Sequence, residues 1–177
     1  MKKELRLKFK QLRNENGNFD ETISENLATL VQDYHHIAIY LKIGTEINLE
    51  PFISKYMHIK NLYVPYVKHK TKILEFRKLS SLNNLVFDDA HIPSSPQDAI
   101  AINKLDVIVL SCLACNLQGY RLGYGGGYYD QSLTNYQGLK IGIVYENCLT
   151  DIAFQEPFDI RLDYIITEKR IIAINKE

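Results

Sequence analysis

Apolar positions recur at helical spacing along the first thirty residues. Leu5, Phe9 and Leu12 follow one another at intervals of four and three, with lysines and arginines between them, which predicts an amphipathic helix. After the break at "NGN", Phe19, Ile23, Leu27, Leu30 and Val31 share one face of a second helix, with Asp20 placed to cap it. The period then changes. "HHIAIYLKI" (35–43) reads as a buried strand, and Gly44 ends it. Asn48 can cap a short helix that carries Leu49, Phe52, Ile53 and Tyr56. "NLYVPYV" (61–67) predicts a strand in which Pro65 marks an end or an edge, and "KILEFRKL" (72–79) a further strand. Residues 80–103 are punctuated by Asn, Asp, Ser and Pro and read as a long irregular connection.

The uninterrupted apolar run in "LDVIVLS" (105–111) is the pattern of a central strand covered on both faces. "YYDQSLTNY" predicts a helix, and 139–145, 163–167 and 170–174 predict late strands. Helices alternating with strands around such a run imply an α/β fold: one domain over 1–177, with a mostly parallel central sheet flanked by helices. Ligands in such folds sit beyond the carboxyl ends of the strands, so the segment after 105–111 is where a site is expected.

Composition narrows the function classes. The 21 basic and 21 acidic residues cancel, so no global field recruits nucleic acid or an anionic membrane, and an anion must be caught by a local cluster. Neither partner is expected. Three cysteines are too few and odd in number for a secreted disulfide framework. Cys112 and Cys115 have C-x-x-C spacing, but no second pair accompanies them, so buried inert thiols are expected. No apolar run approaches the roughly 20 residues that span a bilayer, and the basic N-terminus leads into no apolar signal core. The expectation is a cytoplasmic protein, a monomer or weak homodimer.

The strongest local feature is "GYRLGYGGGYYDQSL" (119–133). Glycines at 119, 123, 125, 126 and 127 let backbone N–H groups turn toward a ligand, and Arg121 adds a planar fork suited to phosphate oxygens. Asp130 can hold Mg²⁺, which takes oxygen ligands and commonly bridges to phosphates. The stretch is neither a Walker A loop nor a dinucleotide fingerprint: no Gly-Lys-Ser/Thr ends it, and Tyr128 stands where the last glycine of G-x-G-x-x-G belongs. A phosphate cradle and a tight glycine turn packed with tyrosines are both compatible with these residues.

"YRLGYGGGYYDQSL" closely resembles the signature of the 5-formyltetrahydrofolate cyclo-ligase family, the 5,10-methenyltetrahydrofolate synthetases. "KKELR" (2–6), "IAIYLKIGTEINLEPFI" and "FDIRLDYIITE" resemble further family segments in the same order, so the likeness covers nearly the whole chain. The resemblance implies a carbon–nitrogen ligase that uses ATP and Mg²⁺ on a small folate substrate. It implies ATP contacts from Lys2, Lys3, Arg6, Arg121, Gly123, Gly125, Gly126, Gly127, Tyr128 and Tyr129. It implies folate contacts from Glu46, Tyr124, Gly125, Gly126, Gly127 and Tyr128, catalytic roles for Arg121 and Tyr129, and metal contacts from Asp130 and Asp159, with Asp163 as the alternative acid. Ser111-Cys112 and Cys115-Asn116 stand where family members commonly carry Pro-Gly and Phe-Asp. These departures leave a second reading, a folate- or nucleotide-binding relative without turnover or with altered specificity.

Overall fold

The computed structural model describes residues 1–176. Helices α1 (Lys2–Asn14) and α2 (Asp20–Leu30) lead into β1 (His36–Ala38), followed by α3 (Glu50–Tyr56), β2 (Asn61–Tyr66) and β3 (Glu75–Lys78). Three short strands come next, β4 (Val86–Phe87), β5 (Pro93–Ser94) and β6 (Ala99–Ile100). The second half runs β7 (Val107–Ser111), β8 (Ala114–Asn116), β9 (Arg121–Leu122), α4 (Tyr128–Ser132), β10 (Leu139–Ile143), β11 (Leu149–Thr150), β12 (Tyr164–Ile166) and β13 (Ile171–Ala173).

The main sheet has the order β13-β12-β10-β7-β1-β2-β3-β6. Its middle, from β12 to β2, is parallel, and the pairings at both edges are antiparallel. The sheet is therefore mixed around a parallel centre. All five residues of β7 are buried, as its unbroken apolar run requires of a strand covered on both faces. Leu5 and Phe9 of α1, Ile23 and Leu27 of α2, and Phe52 and Ile53 of α3 join the same core.

Several local expectations are corrected. Pro65 stands next to the last residue of β2, so it marks the strand's end; β2 is an interior strand, not an edge. Pairing with β1 covers only 61–63, so the missing proline N–H falls where β2 is bonded to β3 alone. Asp20 does not cap α2 with its side chain; its Oδ1 accepts the Asn48 N–H at 3.1 Å and ties the start of α2 to the start of α3. Asn48 does act at the start of α3, its Oδ1 accepting the Glu50 N–H at 3.0 Å. The connection over 80–103 is not structureless, since β4 and β5 pair there and β6 extends the main sheet. The helix predicted over "YYDQSLTNY" closes at Ser132.

One consequence of the strand order places the site. From β1 the chain crosses through α3 to β2 on one side; from β7 it crosses through α4 to β10 on the other. The direction of winding reverses between the neighbours β1 and β7. A crevice opens at such a reversal, beyond the carboxyl ends of the two strands. Glu46 follows β1, and Ser111 and Cys112 end β7, so the sheet itself brings these residues together.

Candidate active site

The glycine-rich stretch is carried by a hairpin. Strand β8 pairs antiparallel with β9, Cys115 opposite Arg121. Asn116, 1% exposed, fixes the hairpin: its Nδ2 donates to Ile152 O at 3.2 Å and Gln155 Oε1 at 2.9 Å, and its Oδ1 accepts the Tyr120 N–H at 3.1 Å. Arg121 then points back toward the end of β7. Its Nη2 donates to Ser111 O at 3.2 Å, and its Cζ lies 5.3 Å from the centre of the Tyr129 ring. The buried Arg121 Nε has no hydrogen-bond partner among the described residues.

Gly123 makes this placement possible. A Cβ there would lie 2.7 Å from Arg121 Nη2. Gly127, at φ +71°, holds the left-handed turn from which α4 starts. The loop between them meets α1: Arg6 Nε donates to Gly123 O at 2.8 Å, and a Cβ on Gly125 would stand 3.5 Å from the Arg6 Cζ. The far end of the loop is stapled to the segment after β2, where Tyr128 Oη meets His69 Nδ1 at 3.1 Å and Ser132 Oγ accepts the Leu74 N–H at 2.9 Å. Gly126 and Tyr124 are exposed.

Glu46 lies in the turn after β1, at the reversal, and is 7% exposed. Its Oε1 accepts the Ile43 N–H at 2.7 Å. Burial raises its pKa, against the opposing effects of hydrogen bonds from Ser111 and Ile43 and the charges of Arg13 and Arg121. Tyr129 has its phenol pushed well up by burial and stays a neutral hydroxyl donor. Burial also opposes the Cys112 thiolate, yet the Cys115 thiol and the Arg121 guanidinium beside it together hold its pKa below the ordinary value. Cys115 is pushed up by burial and by its hydrogen bond to Cys112. All three cysteines are buried and free, as expected.

The acidic residues lie to one side. Asp130 and Asp159 line a cleft of about 590 Å³ together with Lys140, Arg161 and Lys176. Asp130 Oδ1 accepts the Ile160 N–H at 3.1 Å. Asp159 Oδ2 takes the Lys2 ammonium at 2.8 Å and the Glu156 N–H at 3.0 Å. Among the described residues, each carboxylate keeps one oxygen without a protein partner. Among the described residues no group of three His, Cys, Asp or Glu is gathered to hold a metal ion alone. Two carboxylates suit Mg²⁺ that arrives with phosphate oxygens and water as its remaining ligands. Asp163 is committed elsewhere, accepting the Lys140 N–H at 2.8 Å and pairing with Lys176. Lys3 is exposed and has no hydrogen bond or ion pair among the described residues.

One residue was missed. Arg13, at the end of α1, is 6% exposed. Its Nε donates to Thr45 Oγ1 at 3.1 Å and its Nη2 to the Tyr124 hydroxyl at 2.6 Å. A signal was present: Arg13 is four residues beyond Phe9 and seven beyond Arg6, on the helix face that holds both.

Comparison with known proteins agrees with this fold. The model of the 5-formyltetrahydrofolate cyclo-ligase family matches residues 1–168. A protein of Escherichia coli K12 named 5-formyltetrahydrofolate cyclo-ligase is 29% identical over 146 residues, which cover 77% of this chain and 80% of that one. The structure of Aquifex aeolicus 5,10-methenyltetrahydrofolate synthetase superposes with a TM-score of 0.86 at 27% identity, over 99% of this chain and 94% of that one. That of a 5,10-methenyltetrahydrofolate synthetase from Mycoplasma pneumoniae gives 0.76 at 25% identity, over 93% and 97%. A match that runs from α1 through β12, in sequence and in fold, means that the chain belongs to the 5-formyltetrahydrofolate cyclo-ligase family.

Proposed function

We propose that this protein converts 5-formyltetrahydrofolate to 5,10-methenyltetrahydrofolate with ATP, releasing ADP and phosphate. The formyl oxygen is a poor leaving group. Transfer of the γ-phosphoryl group to that oxygen breaks the bond to the β-phosphate oxygen and activates the formyl carbon. N10 of the folate attacks that carbon, the C–O bond breaks, phosphate leaves, and N10 loses its proton. No side-chain nucleophile is required, and the protein's task is positioning and charge neutralisation.

The residues of the crevice suit that task. Arg121 offers a fixed planar cation whose Nε still lacks an acceptor. Arg6 is anchored through Nε to Gly123 O, which leaves both terminal nitrogens for phosphate oxygens. Tyr129, held neutral, keeps its hydroxyl hydrogen to donate in a hydrogen bond. Glu46 accepts the N–H donors of the pterin ring. Asp130 and Asp159 would hold Mg²⁺, which supplies charge neutralisation between phosphate oxygens when bound. Lys2 keeps Asp159 in place through the 2.8 Å contact.

The observation that carries the reading is the convergence of Glu46, Arg121 and the glycine-rich loop at the reversal between β1 and β7. The test is formation of the methenyl product, followed by its absorbance, with 5-formyltetrahydrofolate, ATP and Mg²⁺. Product that depends on all three supports the proposal. Binding of both substrates without product overturns it in favour of a non-catalytic relative.

A further inference from the structure

Arg13 lies outside the machinery assigned above, yet it is the most enclosed cation of the crevice. Two of its three guanidinium nitrogens are used: Nε on Thr45 Oγ1 at 3.1 Å and Nη2 on the Tyr124 hydroxyl at 2.6 Å. The third, Nη1, is buried without a hydrogen-bond partner among the described residues. Burying an unsatisfied charged donor is costly, so its persistence points to an acceptor that the protein itself does not supply. Thr45 precedes Glu46, and the Arg13 charge acts on the Glu46 carboxyl, as does that of Arg121. Tyr124 feels Glu46, Arg13 and Arg121 together. A buried acceptor and, among the described residues, a buried, unpaired donor thus both lie at the turn after β1, the donor tied to it through Thr45.

We propose that Arg13 is a specificity-determining residue that donates from Nη1 to the 4-oxo group of the pterin. The inference rests on the folate reading above. The edge of a reduced pterin presents a 2-amino group and an N3–H as donors and the C4 carbonyl as an acceptor beside them. A lone carboxylate matches the two donors and leaves the carbonyl unanswered. The pair of Glu46 and Arg13 answers all three. The rigid guanidinium fork, fixed at two corners by α1's neighbours, presents its third corner without further ordering. A site whose buried donor must be satisfied rejects an analogue that cannot accept from it.

The test compares binding of 5-formyltetrahydrofolate and of its 4-amino-4-deoxy analogue, by calorimetry, to the full chain and to Arg13→Met and Arg13→Lys. The analogue replaces the acceptor by a donor and also removes the N3–H that faces Glu46, so the share due to Arg13 is read from the variants. The wild type should prefer the 4-oxo compound by about 10- to 100-fold, the value of one charged hydrogen bond. Arg13→Met should narrow that preference about tenfold, Arg13→Lys less so, with KM for ATP unchanged within about twofold. Melting temperatures establish that the variants are folded, and the wild-type comparison stands without them. Equal affinity of the wild type for both compounds overturns the proposal, as does a preference that Arg13→Met leaves intact. An equal rise in KM for ATP and for folate also overturns it, since that marks a merely structural role. If the wild type discriminates but forms no methenyl product, the functional reading fails and the role of Arg13 stands. If neither compound binds, both fall.

Discussion

Replacing Gly123 by alanine perturbs a single contact and should be felt in catalysis rather than folding. The backbone at Gly123 is open to any residue, so the added methyl strains nothing in the chain. It would stand 2.7 Å from Arg121 Nη2 and 3.1 Å from its Cζ and Nη1, whereas ordinary contact begins at 3.4 Å. The guanidinium must retreat by about 0.7 Å, a distance over which close-packed atoms do not yield without moving. Its hydrogen bond to Ser111 O, already 3.2 Å, does not survive the shift. A hydrogen bond to a charged group is worth about 1.5–3 kcal/mol, which corresponds to about 10- to 100-fold in rate when the group acts on the reacting atoms. A misplacement of about 1 Å independently gives a loss near 100-fold. The assay is steady-state formation of the methenyl product with ATP and folate varied in turn. Gly17→Ala is the control, since a Cβ there meets nothing within 4 Å. Gly123→Ala should lower kcat/KM for ATP by about 10- to 100-fold at an unchanged melting temperature. A value within about twofold of wild type would refute the reasoning, because Arg121 would then not act from the position described.

Three further outcomes follow from the same geometry. Burial lifts the folded pKa of Glu46 above its ordinary 4.5, so the native state keeps this proton to higher pH than the unfolded chain. The stability linked to it is complete below 4.5 and is lost as pH rises through the folded value. Glu46→Gln should therefore melt higher than wild type at pH 7, lose that advantage below pH 4.5, and bind folate about tenfold or more weakly; a lower melting temperature at pH 7 counts against it. Asp130→Asn keeps an oxygen for the Ile160 N–H, so thermal stability should hold while the Mg²⁺ concentration for half-maximal rate rises about tenfold; an unchanged Mg²⁺ requirement removes Asp130 from the metal. Burial pushes the Cys148 thiol up to about 11, against the pull of Arg13, so the native protein should resist alkylation at this thiol at pH 8 until it is unfolded; rapid labelling, located by mass spectrometry, would show the site to be open.

Much of the fold was legible in local pattern. The helical period of Leu5, Phe9 and Leu12 is realised in α1, and the unbroken run of 107–110 in a strand buried along its whole length. Periodicity reports which face of an element is buried, and burial is what these elements are for. It does not report pairing direction, so the antiparallel edges at β3, β6 and β13 and the short strands within 80–103 were not readable. Pro65 marked the end of β2, but whether it also marked an edge was not readable for a related reason. A proline is excluded only where its N–H is needed, and which strand flanks it is a tertiary fact.

For the site the division is sharper. The run from Arg121 to Asp130 carries its own chemistry, because glycines, an arginine fork and a carboxylate close in sequence are close in space. The sequence by itself therefore determined that a glycine-rich loop with an arginine and a carboxylate follows the central strand, and which family the chain belongs to. It could not show that Arg13, 33 residues before Glu46, ends beside it with one donor unanswered. Nor could it show that Asp159 is held by Lys2, 157 residues away in the chain. Those meetings depend on the reversal of winding between β1 and β7 and on α1 packing back across it. Only the tertiary structure decides them, because contacts between distant segments are set by the packing of whole elements and leave no local trace in the residues that make them.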